Sequence, residues 1–308
     1  MNSHRNTWNS VSILNLLDEF METNKNATQL SQRIRSIIPI NLYVDIKHKL
    51  AICMVPKTGV TSYTAMMIQY SDNFIQHFPN KTAFDVYGYS IYFHRNAQNG
   101  LYEARNMSPV QLKEALLNYY KIITSRHPFS RLYSYYKNKI VGEKCFHIIS
   151  GRVLKYTRNI TLTNAKDTCN VNITFEEFIR YFRNKRDLDW ETHVKRINEQ
   201  CSVSKIDYDT FIRTETASTD QQFVMDTFLS KSDPSAPRVD PFETNVKTSI
   251  NKGYDLRLTA YDRLDPSDIT WLEQYYQKDL DMFGYSVKHD AHSLMAKCSI
   301  GNDSDRCC

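Results

Sequence analysis

The chain lacks any long apolar run. No stretch of about 18 apolar residues occurs in its 308 residues, and Met1 to Phe20 has no apolar segment flanked by basic residues. Neither a membrane anchor nor a signal segment is therefore expected within it. The seven cysteines, Cys53, Cys145, Cys169, Cys201, Cys298, Cys307 and Cys308, include no C-x-x-C spacing, which argues against a zinc site, and their odd number leaves at least one unpaired within the chain. A complete G-x-x-x-x-G-K-[ST] loop is missing too, which argues against a P-loop kinase using ATP and magnesium. Charge of one sign is only mildly in excess: a net +5 permits an acidic partner without requiring one. Basic residues do gather from 137 to 166, where Lys137, Lys139, Lys144, Arg152, Lys155, Arg158 and Lys166 face a single acid, Glu143. Such a run is either a solvated face or a wall that attracts a polyanionic sugar chain. Only Phe146 and Tyr156 interleave it, too few aromatics for a nucleic-acid stacking surface.

What is present centres on two stretches. In the first, the apolar run Leu50-Ala-Ile-Cys-Met-Val55 stops at Pro56, and Lys57-Thr58-Gly59 leads into a helical pattern over Thr61 to Tyr70. Strand, tight turn and helix N-terminus together can bind phosphate or sulfate through free backbone N–H groups, with the lysine adding a full charge. An ordinary connection with Lys57 in water is the plain alternative. The second stretch, Tyr119 to Lys137, repeats the plan. Arg126 ends a strand, Pro128 suits the first helical position, and Arg131 and Ser134 lie three apart on one helix face. Two anion-binding turns imply a ligand with two separated anionic groups.

These two stretches resemble the signatures of the Golgi carbohydrate sulfotransferases, the family that includes the chondroitin and dermatan 4-O-sulfotransferases. Val55-Pro56-Lys57-Thr58-Gly59-Val60-Thr61-Ser62-Tyr63 is similar to the family's V-P-K-x-x-C-T-N-W, and Arg126-His127-Pro128-Phe129-Ser130-Arg131-Leu132-Tyr133-Ser134-Tyr135-Tyr136 to its R-x-P-F-E-R-L-V-S-A-Y. The resemblance runs from about residue 48 to 286. It takes in the Phe175 to Phe178 block, Trp190, Cys201, Tyr208-Asp209, Glu215-Thr216 and the closing Lys278 to Tyr285. It departs at Asp189, where the family has His, and at Ser204, where it has a second Cys. The family's local disulfide therefore cannot form, leaving Cys201 free or paired with another cysteine such as Cys145 or Cys169.

The resemblance implies an α/β, P-loop-like sulfotransferase fold, a central mostly parallel sheet flanked by helices. It implies transfer of a sulfuryl group from 3′-phosphoadenosine 5′-phosphosulfate to a hydroxyl of an acidic or neutral glycan, such as chondroitin, without a metal. Residues 57 to 63 (Lys57, Thr58, Gly59, Val60, Thr61, Ser62, Tyr63) would hold the 5′-phosphosulfate, and Arg126, Arg131 and Ser134 the 3′ side. For the base that takes the acceptor proton, His94 and Asp85 lie between the two turns, Asp85-Val86 near where related enzymes carry His-Val. A catalytically inactive nucleotide- or glycan-binding relative is the alternative reading. The Golgi lumen is the implied location, and six N-x-[ST] sequons, at Asn26, Asn80, Asn106, Asn159, Asn172 and Asn302, agree with a secretory lumen.

Around this centre the chain reads as three parts: a helical preface over 1–45, with Ile13, Leu16, Leu17 and Phe20 on one face, the main domain over 46–286, and a polar tail over 287–308. Thr174 and Glu177 predict a capping box before a helix burying Phe175, Phe178, Ile179 and Phe182. Asp265-Pro266 opens a last helix that Gly284 stops.

Overall fold

The computed structural model describes residues 13–22, 27–142, 145–184, 191–230 and 260–286. Asp189 and Trp190 of the sequence comparison lie outside the described residues, as does the tail beyond 286. The chain divides into two compact units, the first made of residues up to Ser125 with 197–244, the second of Arg126–Arg196 with the segment from 245 on.

The first unit holds a five-stranded sheet in the order β3-β1-β2-β4-β5. Its strands are β1 (Leu42–Asp45), β2 (Leu50–Cys53), β3 (Tyr102–Glu103), β4 (Tyr120–Ser125) and β5 (Thr210–Arg213). Strands β2, β4 and β5 run parallel, in register Ile52 to Ile122 and Ile123 to Phe211, whereas β1 pairs antiparallel with β2 and β3. Helices of this unit include α1 (Ile13–Glu22), α2 (Ala27–Ile37), α3 (Val60–Gln69), α4 (Ala83–Tyr87) and α5 (Pro109–Asn118). Parallel strands need crossover connections that cover the sheet, and so β2 and almost all of β4 are buried, as their unbroken apolar runs require. Helix α5 starts at a capping box, Ser108 with Gln111. The helical preface is present as α1 and α2, with Ile13, Leu16 and Leu17 buried, but it ends sooner than its polarity pattern predicts. Residues 42–45 form β1, whose four side chains are all buried, so the sheet begins inside the segment read as preface.

The second unit is helical. Its main helices are α6 (Pro128–Tyr135), α7 (His147–Arg158), α8 (Phe175–Asn184) and α9 (Pro266–Met282). Its core is aromatic, with Tyr136 and Phe178 stacked at 5.9 Å and Phe175 edge-on to Tyr133 at 5.4 Å. The predicted capping box holds: Thr174 N–H donates to Glu177 Oε2 at 2.8 Å and Glu177 N–H to Thr174 Oγ1 at 3.2 Å. Gly284 follows α9 in the left-handed region, φ 64°.

Two disulfides staple the units separately. Cys145 pairs with Cys169 inside the second, and Cys53 pairs with Cys201 inside the first. Of the alternatives left open for Cys201 it takes pairing with another cysteine, Cys53 rather than the Cys145 or Cys169 given as examples. The reason is placement: Cys201 is fully buried beneath the C-terminal end of β2, where Cys53 stands.

Candidate functional site

The C-terminal ends of β2 and β4 are tied to each other before either turn begins. Thr124 of β4 is the knot. Its hydroxyl accepts the Val55 N–H at 3.1 Å, lies 3.1 Å from the Cys53 carbonyl, and meets the Thr58 hydroxyl at 2.6 Å. Thr58 in turn donates to the Val55 carbonyl at 2.7 Å. On its other side β4 is held by β5, where the Thr214 N–H and hydroxyl both donate to the Ser125 carbonyl, at 2.9 and 3.0 Å. The point where the chain leaves β4 for Arg126 is therefore fixed from both neighbours.

The first turn then exposes a specific set of donors. Lys57 adopts φ 72° and Gly59 φ 89°, both left-handed. A glycine meets that geometry at no steric cost, while the lysine carries a penalty of roughly 1–2 kcal/mol. Two left-handed residues in three reverse the chain sharply enough to start α3 at Val60. The Thr58 N–H turns back to Val55, and those of Ser62 and Tyr63 both go to the Gly59 carbonyl. That leaves the N–H groups of Gly59, Val60 and Thr61 with no acceptor among the described residues, together with the Thr61 and Ser62 hydroxyls. Three open amides at the positive end of a ten-residue helix, beside a lysine, form an oxyanion-binding cradle.

The structure thus sorts the sequence-predicted residues of this turn. Gly59, Val60, Thr61 and Ser62 present donors, and Lys57 sits half-exposed at the turn. Thr58 braces the turn, fully buried with both its amide and its hydroxyl committed. Tyr63 also faces inward. Its ring lies in the core against β2, fully buried, and burial with Asp220 and Glu215 nearby pushes its phenol above the ordinary range.

In the second stretch, His127 caps α6 by accepting the Phe129 N–H on its ring nitrogen at 3.2 Å, and its ring packs against Phe129 and Tyr285. Every residue of α6 is buried except Ser134, whose hydroxyl finds no partner among the described residues. Arg126 is half-exposed. Arg131 faces inward. It is 1% exposed and donates to the carbonyls of Thr192 at 3.0 Å and Lys195 at 2.7 Å. Burial lowers its pKa, opposed by Tyr276, Asp279 and Glu191. Removing a charged group so placed leaves the buried Thr192 and Lys195 carbonyls without their donor. Arg131→Met is expected to cost about 3 kcal/mol of stability while leaving nucleotide affinity of the folded protein unchanged. An unaltered melting curve with weakened nucleotide binding would return Arg131 to the ligand set.

The two candidate bases separate as well. Asp85 is spent on structure: it lies at the third position of α4, and its carboxylate accepts the Thr82 N–H at 3.2 Å in a capping box. Its carboxylate is thus engaged as a helix cap at an exposed position. His94 ends a 3₁₀ segment, Gly88–His94, and stacks on Tyr87 at 4.0 Å. No carboxylate orients it among the described residues. Of the basic run after α6, Arg158 is neutralised by a two-pronged pair with Glu177 at 2.6 and 2.7 Å, which lowers that carboxyl's pKa, and Lys139 lies over the Phe146 ring at 4.1 Å. The run is thus partly a compensated face.

A parallel strand pair, β2 and β4, whose C-terminal ends lead into a lysine turn and an arginine turn defines an α/β architecture. Residues 41–286 match the sulfotransferase family, and the chain belongs to it. It is similar to carbohydrate sulfotransferase 10 of Rattus norvegicus and of Homo sapiens, each 27% identical over 263 residues, covering 79% of this chain and 66% of the relative. Carbohydrate sulfotransferase 11 of Mus musculus is 23% identical over 284 residues, covering 88% and 75%. The chain thus spans just under two thirds of the length of the first two relatives. No solved structure matches.

Sequence reasoning missed two features. The Cys53–Cys201 link joins residues 148 apart and left no local signal. The second is Glu191 with His193, whose ring nitrogen lies 2.5 Å from the carboxylate; an acid two residues before a histidine was the available hint.

Proposed function

We propose that this protein transfers a sulfuryl group from 3′-phosphoadenosine 5′-phosphosulfate to a hydroxyl of a glycan, a glycosaminoglycan such as chondroitin being the candidate acceptor, in the lumen of the Golgi. The observation that carries the reading is the cradle of three open amides, Gly59, Val60 and Thr61, beside Lys57. Sulfuryl transfer builds negative charge on the oxygen that leaves with the 5′-phosphate. Fixed amides and a lysine aimed at that oxygen stabilise the transition state more than the bound substrate, and only that difference speeds the reaction. Arg126, as a planar fork, and Ser134, as a single donor, suit a 3′-phosphate and would select this nucleotide over one lacking it. Secretory residence is supported by two disulfides, which persist in oxidising compartments, and by the exposure of all four described sequon asparagines, Asn80, Asn106, Asn159 and Asn172. Among the described residues no helix is long and apolar enough to cross a membrane.

The inactive-relative reading is favoured by one observation, the use of Asp85 as a helix cap. Incubation with sulfur-labelled donor and a panel of chondroitin and neutral glycans decides between them: label on a glycan supports the enzyme, while nucleotide binding without label on any glycan supports the silent relative. Arg126→Ala is expected to weaken 3′-phosphoadenosine 5′-phosphate by about 10- to 100-fold, and Ser134→Ala by about fivefold, with little change for adenosine 5′-phosphate. Equal losses for the two nucleotides in calorimetric titrations would move both residues out of the 3′ site.

A further inference from the structure

Four N-x-[ST] sequons lie among the described residues, and in three of them the hydroxyl residue has a structural task. Thr82, two after Asn80, is the N-cap of α4 and accepts the Asp85 N–H at 2.9 Å. Ser108, two after Asn106, caps α5 and accepts the Gln111 N–H at 3.3 Å. Thr174, two after Asn172, makes the capping box with Glu177 that opens α8. Helix capping favours serine and threonine by itself, so these three patterns need no other cause. The fourth, Asn159-Ile160-Thr161, is different. Thr161 is exposed, and its hydroxyl has no partner among the described residues.

Asn159 ends α7 in the left-handed region, φ 57°, where asparagine stands at less cost than most residues that carry a side chain. Its Oδ1 accepts from Lys155 Nζ at 2.9 Å, and its Nδ2 has no partner among the described residues. The Asn106 Nδ2, by contrast, donates to Glu103 at 2.8 Å. The backbone at Asn159 is anchored. Arg158 donates to the Asn172 carbonyl at 2.7 Å and pairs with Glu177, and the Cys145–Cys169 disulfide closes the segment that contains the sequon. The surface beside this exposed asparagine is apolar. Tyr156, Ile160 and Leu162 are 39%, 37% and 36% exposed, all within three residues of Asn159. Single exposed apolar side chains are ordinary, whereas three so close together mark a surface that something covers.

We propose that Asn159 carries an N-linked oligosaccharide and that this glycan covers Tyr156, Ile160 and Leu162. The inference rests on the secretory part of the reading above, because such glycans are attached in that lumen. In the transfer, Asn159 Nδ2 bonds to the anomeric carbon of an oligosaccharide held on a lipid pyrophosphate. The anomeric C–O bond breaks and its electron pair leaves with the lipid pyrophosphate, while the amide gives one proton to the base of the transferring enzyme. The Lys155 contact survives, since it uses Oδ1. A sugar chain suits this surface: it is bulky and solubilising, and the C–H faces of its rings pack on apolar and aromatic side chains while its hydroxyls meet water.

The test uses the full-length protein made from its own gene in eukaryotic cells. Peptide mapping after enzymatic glycan removal in heavy-oxygen water is expected to find Asn159 deamidated and labelled. Thr161→Ala is expected to abolish that label and Thr161→Ser to keep it, and neither change touches a residue that holds the fold. For the covered surface, light scattering is expected to show Thr161→Ala self-associating at a concentration about threefold or more below wild type. Adding Ile160→Ser and Leu162→Ser to that variant is expected to restore wild-type behaviour. An Asn159 found bare on a protein whose other sequons carry glycans overturns the proposal and leaves the secretory reading standing. A protein with no glycan on any sequon overturns both. A glycan on Asn159 whose loss leaves self-association unchanged overturns the covering role.

Discussion

Lys57→Ala is expected to reduce sulfuryl transfer by about a thousandfold while the protein melts within a degree or two of wild type. Loss of one donor aimed at developing charge costs about 10²–10³ in kcat, and Lys57 supplies a full charge as well. Its side chain is half-exposed and holds no part of the core, so the fold does not depend on it. The backbone makes the experiment sharper. Lysine at φ 72° is strained, and glycine at the same position is not. Lys57→Gly is therefore expected to lose the activity and gain roughly 0.5–1 kcal/mol of stability, less what the more flexible unfolded chain takes back. A residue that costs stability where it stands is retained for what it does. Full activity in either variant, read by labelled-sulfate transfer, would contradict the role given to Lys57.

Cys201→Ser is expected to lower the melting temperature by about 10 °C. Closing a loop of 148 residues restricts the unfolded chain by about 5 kcal/mol in the chain-entropy picture, and for a chain of this size each kcal/mol shifts melting by about 2 °C. The effect should reach the site too. Cys53 stands four residues before Lys57, and the Cys53 carbonyl lies against the Thr124 hydroxyl that also holds Val55 and Thr58. Nucleotide affinity is expected to fall with stability. Peptide mapping without reductant should recover Cys53 joined to Cys201; a fragment joining Cys201 to Cys145 or Cys169, or a melting curve indifferent to Cys201→Ser, would contradict the pairing.

The parts of this site that were legible in the sequence share a local cause. Proline at 56, glycine at 59 and an apolar run before them announce a strand, a turn and a helix start, because each acts through its own backbone dihedrals. The Thr174–Glu177 and Asp265–Pro266 helix starts were readable for the same reason. The α/β class came with the family resemblance that these two strand-turn-helix stretches carry, and the parallel pairing of β2 with β4 agrees with it.

What was not legible depends on tertiary packing. Arg131 and Ser134 share a helix face by spacing, yet one is 1% exposed and the other open, because α6 is buried along almost its whole length. Thr58 and Tyr63 sit inside the first signature and still point into the fold, since Thr58 is tied to Val55 and Thr124 and α3 is buried from Tyr63 onward. Residues 42–45 read as an extension of the helical preface and instead pair with β2, a contact no short window reveals. The Glu191–His193 pair was hidden in another way: the loop that carries it is held by a buried arginine some sixty residues away.

The central claim is that two anion turns serve one bisphosphorylated nucleotide, and the most direct measurement is the melting temperature of the full chain with 3′-phosphoadenosine 5′-phosphate beside the same nucleotide lacking its 3′-phosphate. At a hundred times its dissociation constant a ligand stabilises the folded state by about 2.7 kcal/mol, a rise of several degrees here. The predicted result is that rise with the bisphosphate and little or none with the monophosphate. An equal rise with both, or none with either in a cooperatively melting sample, would contradict the claim.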